Sequence, residues 1–82
     1  MNEGWSEATR RMTREALDEK AVVPMHDWVP MKRFHAVGGI NWGRIALNDW
    51  LAGWPMTVTD DAGATETFKD CDALLAAGWA VD

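Results

Sequence analysis

Six tryptophans in 82 residues (Trp5, Trp28, Trp42, Trp50, Trp54 and Trp79), beside two phenylalanines and no tyrosine, set the terms on which this chain can fold. A chain of this length sits near the lower limit at which one hydrophobic core suffices without disulfides or a metal, and it has room for a single domain, 1–82. Each buried indole removes ~150–250 Å² from water, so a few of them give a short chain core volume that its length would otherwise deny it. Tryptophan is also enriched at interface hot spots, so an indole outside the core is a candidate contact.

Punctuation along the chain divides it into elements. Residues 1–4 are expected to be disordered. Residues 6–20 read as a surface helix, with Ser6 as N-cap, Glu7 in the first turn, Lys20 in the last, and a thin apolar stripe of Ala8, Met12 and Ala16. Pro24 and Pro30 exclude a continuous helix and disfavour a central strand over 21–37, which reads as extended and irregular, with short edge strands at Ala21–Val23 and Phe34–Val37. From Asn41, helical spacing places Trp42, Ala46, Leu47, Trp50, Leu51 and Trp54 on one half-cylinder, with Ile45 as the exception on the polar side. This predicts a core helix that starts at Asn41 and stops at Gly53 and Pro55. Residues 56–59 and 64–68 flank Asp60-Asp61-Ala62-Gly63, which is turn chemistry, and predict a β-hairpin. Asp70 then caps a short helix, Cys71–Ala77, ended by Gly78, and 79–81 finishes as a strand. The expected fold class is α+β: two to three helices packed on a short antiparallel sheet, with a hairpin at about 56–68.

Charge is divided as unevenly as structure. The net charge is −5; residues 1–44 hold six acids and seven bases, and from Ile45 onward seven acids face the single base Lys69, so the back half carries −6 and the front +1. Such a field repels phosphate backbones and makes direct nucleic-acid binding unfavourable, whereas the basic grooves that hold nucleic acids would attract it. Five of the acids, Asp60, Asp61, Glu66, Asp70 and Asp72, fall on the hairpin and the start of the last helix. They are the candidate partner-binding residues, with Trp28, between Pro24 and Pro30, as the apolar anchor. The competing reading of the acids is plain solubility.

Catalytic and cofactor chemistry finds little support. His26 and His35 are too few for a closed zinc site, so no metal and no cofactor is expected. The Gly38-Gly39-Ile40-Asn41-Trp42-Gly43 run lacks the Lys-Ser/Thr pair of a phosphate loop, because Arg44-Ile45 stands there instead. Cys71 lies between Asp70 and Asp72, which disfavour a thiolate, and a buried inert thiol is expected. A lone cysteine and the lack of a signal sequence point to the cytoplasm, and no apolar run approaches the ~20 residues of a membrane span.

In size, acidity, lack of motifs and the acidic run Asp60, Asp61, Glu66, Asp70, Asp72, the chain resembles the small proteins with which phages and other mobile elements block host defence, of which anti-CRISPR proteins are the best-known group. The resemblance implies a non-enzymatic inhibitor, located in the host cytoplasm, that binds a host protein or ribonucleoprotein complex such as a CRISPR effector and occludes its DNA or RNA groove. Such inhibitors are diverse in fold, so no residue role carries over. A second expectation is an accessory interaction domain, monomer or homodimer, that uses a Trp-rich apolar surface. A third, a small metal-dependent enzyme, requires His26 and His35 to converge.

Overall fold

A computed structural model of the chain describes residues 5–21, 27–35 and 39–82, with His35 described by its backbone alone. The element order is α1 (Glu7–Asp18), β1 (Trp28–His35), β2 (Gly39–Ala46), α2 (Leu47–Ala52), β3 (Met56–Asp60), β4 (Thr65–Phe68), α3 (Cys71–Ala76) and β5 (Trp79–Val81). The five strands form one antiparallel, curled sheet in the order β4-β3-β2-β1-β5, and the class is α+β as expected.

Several elements follow from local chemistry. Ser6 caps α1, its hydroxyl accepting from the Thr9 N–H at 3.2 Å, and the Asp70 carboxylate caps α3 by accepting from the Ala73 N–H at 2.8 Å. The hairpin turn forms because the Asp60 carboxylate accepts from the N–H groups of Ala62 and Ala64, both at 2.9 Å, while Gly63 takes φ +89°.

Two expectations fail. The helix expected from Asn41 is replaced by strand β2 through Ala46, and only Leu47–Ala52 is helical. The strand wins because Ile40, Trp42 and Ile45 favour extended backbone, Gly39 and Gly43 penalise a helix, and eight residues of β1 pair with it, from Trp28↔Ala46 to His35↔Gly39. Trp28–His35, expected to be irregular, is an eight-residue strand in the sheet interior despite Pro30. The Pro30 carbonyl accepts from Asp82 N–H at 3.0 Å, so its missing donor faces the same side, where β5 pairs only with Met31–Arg33 and has ended. Pro30 therefore stands at an edge inside a central strand. Residues 22–23 and 36–37 of the two expected edge strands, and residues 1–4, lie outside the described residues.

Alternation then sorts the side chains. Val29, Met31, Ile45, Met56, Val58, Phe68, Trp79 and Val81 point to the inner face and meet Ala16 and Leu17 of α1, Trp50 of α2 and Leu74 and Leu75 of α3. Thr13, fully buried on α1, donates to the Thr9 carbonyl at 2.9 Å and accepts from Val81 N–H at 3.1 Å, which ties α1 to the free edge of β5.

Candidate functional site

The five candidate carboxylates are largely engaged in the fold. Asp60 holds the hairpin turn and Asp70 the start of α3. Glu66, on β4, accepts from Arg33 of β1 at 2.8 Å and from the Trp79 indole of β5 at 3.2 Å, so it joins the two outer strands across the curled sheet. Arg33 lies over the Trp79 ring at 4.5 Å, which shares the guanidinium between an anion and a π-face. Asp72 pairs with Arg14 of α1 and holds that guanidinium's pKa above its usual value, chiefly through the hydrogen bond. Asp61 is exposed and has no charged partner among the described residues. The negative cluster is thus partly neutralised by two arginines from the front of the chain.

Indoles divide in a similar way. Four donate their N–H to other described residues: Trp5 to the Gly78 carbonyl at 2.7 Å, Trp50 to the Ala16 carbonyl at 3.0 Å, Trp54 to Asp18 at 2.7 Å, and Trp79 to Glu66. Trp50 and Trp54 fasten the sequence around α2 to the end of α1, and Trp79 fills the inner face over Gly43. Trp42 donates to nothing among the described residues and is 46% exposed.

Trp42 belongs to the sheet's outer face, opposite the core that α1, α2 and α3 cover. Register places Trp28, Pro30, Lys32 and Phe34 of β1 beside Ala46, Arg44, Trp42 and Ile40 of β2 on that face, and Thr59 of β3 beside Arg44. Trp28, Phe34, Ile40 and Trp42 are all 39–46% exposed. The β5 side is covered by Trp5, which meets Phe34 edge-on at 6.1 Å and receives Lys32 over its ring at 5.0 Å. Lys32 also pairs with Asp82 at 4.0 Å. Arg44 is exposed, with no carboxylate paired to it among the described residues.

Of the sequence candidates, Trp28 lies on this aromatic strip, as the first residue of β1 rather than in an irregular segment. Sequence reasoning missed Trp42 and Arg44, because the helical wheel turned Trp42 inward. Ile45, the residue misplaced on that wheel, was the signal: it is 0% exposed, and with Gly43 inward and Ile40, Trp42 and Arg44 outward the segment has a period of two.

Cys71 is buried, and burial pushes its thiol up to about 11, with Asp18 adding to the rise. Among the described residues no three His, Cys, Asp or Glu side chains are grouped to hold a metal, and His26 and the His35 side chain lie outside the described residues. No helix among the described residues is long and apolar enough to cross a membrane. No protein-family model, no curated protein and no solved structure matches the chain.

Proposed function

We propose that the chain is a non-enzymatic binding protein that docks on a macromolecular partner through the outer face of its sheet. One observation carries the reading: Trp42, Phe34 and Ile40, exposed by nearly half, are neighbours on β1 and β2, with Arg44 beside them. Water contact with so much apolar surface is unfavourable, and clustered aromatics with an arginine are the composition of interface cores. The inhibitor of a nucleic-acid-handling host complex such as a CRISPR effector is the second reading. It is favoured by exposed Asp61 and by an Asp72 side chain that stays 75% exposed in its ion pair, both available to a basic groove.

A single comparison separates the two. Immobilised wild-type chain, Trp42→Thr and Asp72→Lys are offered the same host extract with tagged wild-type chain added, and captured proteins, the tagged chain included, are quantified at two salt concentrations. Loss of a specific partner with Trp42→Thr alone supports docking by the sheet face. Loss with Asp72→Lys alone, with capture that weakens as salt rises, supports phosphate mimicry and overturns the first reading.

A further inference from the structure

We infer that the occupant of the Trp42 face is a second copy of this chain, bound face to face about a two-fold axis that passes close to Trp42. The inference rests on the docking reading above and names its partner. Arg44 lies two residues from Trp42 along β2, on the same face, which is about 7 Å of strand. Asp61 donates its N–H to the Trp42 carbonyl at 3.1 Å, which sets it on the neighbouring chain position, about 5 Å to the side. Trp42 is therefore flanked in the sheet by Arg44 along its strand and by Asp61 beside it, both exposed and neither paired with an opposite charge among the described residues.

A face that carries one exposed charge of each sign beside a central aromatic is complementary to itself. In a two-fold arrangement residue i meets residue j wherever j meets i, so Arg44 of each copy meets Asp61 of the other while the two indoles meet at the axis. The apolar side chains bring ~400 Å² per copy, from the exposed fractions of two tryptophans, a phenylalanine and an isoleucine. With the threonines of β3 around them, this suits a reversible dimer rather than an obligate one. Nucleic acid fits the face less well. Stacking on Trp42 and Phe34 would be available, but Lys32 is already paired with Asp82, Arg44 is the one cation on the strip without an ion pair among the described residues, and the net charge of −5 repels phosphate.

Sedimentation equilibrium of the whole chain, from micromolar to millimolar, tests this with four variants. Arg44→Asp and Asp61→Arg each place like charges across the axis and are expected to weaken the dimer by about tenfold or more. The double variant Arg44→Asp/Asp61→Arg exchanges the charges and is expected to recover most of that loss, which a merely unfolded or sticky chain would not do. Trp42→Thr is expected to leave a monomer. A chain that stays monomeric throughout, or a double variant no tighter than the singles, overturns the inference. The indole ¹⁵N–¹H spectrum of a dilute sample distinguishes that failure from failure of the docking reading. A Trp42 N–H that exchanges rapidly with solvent beside protected Trp50 and Trp79 leaves the face open to another partner, and a protected Trp42 N–H removes the face itself.

Discussion

Gly43 shows how far one residue can be dictated by a neighbour on the other side of the sheet. A Cβ there would lie 2.7 Å from Cη2 of Trp79 and 2.9 Å from the Thr59 carbonyl oxygen, both inside van der Waals contact, and Trp79 is 1% exposed with nowhere to retreat. Gly43→Ala is expected to cost about 1–3 kcal/mol in urea unfolding, and an unchanged midpoint would contradict the close approach. At Cys71, burial rather than the flanking acids is the main cause of the raised thiol pKa. Because the folded thiol holds its proton more tightly than the unfolded one, near 9.0, the stability this confers is complete below pH 9 and is lost as pH rises through about 11. The native chain should therefore react slowly with a disulfide reagent at pH 8, with rapid labelling only after unfolding; fast labelling of the native chain would show an accessible thiolate instead.

Among the elements, α3 is the clearest case of structure written locally. Asp70 is its N-cap, Gly78 follows it at φ +95°, and both roles are visible as residue types. Asp70→Ala is expected to lower stability by about 1 kcal/mol; Asp70→Ser should retain most of it, and equal losses in the two would mean that the negative charge and not the cap matters. Helix α1 and the β3–β4 hairpin were legible for the same reason, since Ser6, Asp60 and Gly63 act within four residues of themselves. Strands β1 and β2 were not, because their stability comes from each other. Pro30 argues against a strand unless the extent of β5 is known, and Trp42 obeys both a helical and an alternating pattern until Ile45 and Gly43 are weighed with it. The candidate site inherited this error: acids were legible as a run in sequence, but Arg14 and Arg33, which neutralise two of them, reach them across 58 and 33 residues of chain.

For the whole molecule, one anion ties the ends of the sheet together. Glu66 meets Arg33 and Trp79, so β4, β1 and β5 close over the inner face while α1 and α3 pack on it. Trp5, Trp50, Trp54 and Trp79, through their hydrogen bonds, serve that closure and the seating of α1. On the outer face Trp5 packs against Phe34 and Lys32, while Trp42 stays exposed and outside that closure. The most direct test of that separation is urea unfolding of Trp42→Thr, a substitution that keeps a strand-favouring residue at the position. If Trp42 belongs to a contact face, the variant should unfold within about 1 kcal/mol of the wild type. A loss of about 3–5 kcal/mol, the size expected for a core aromatic, would place Trp42 in the fold and contradict the account.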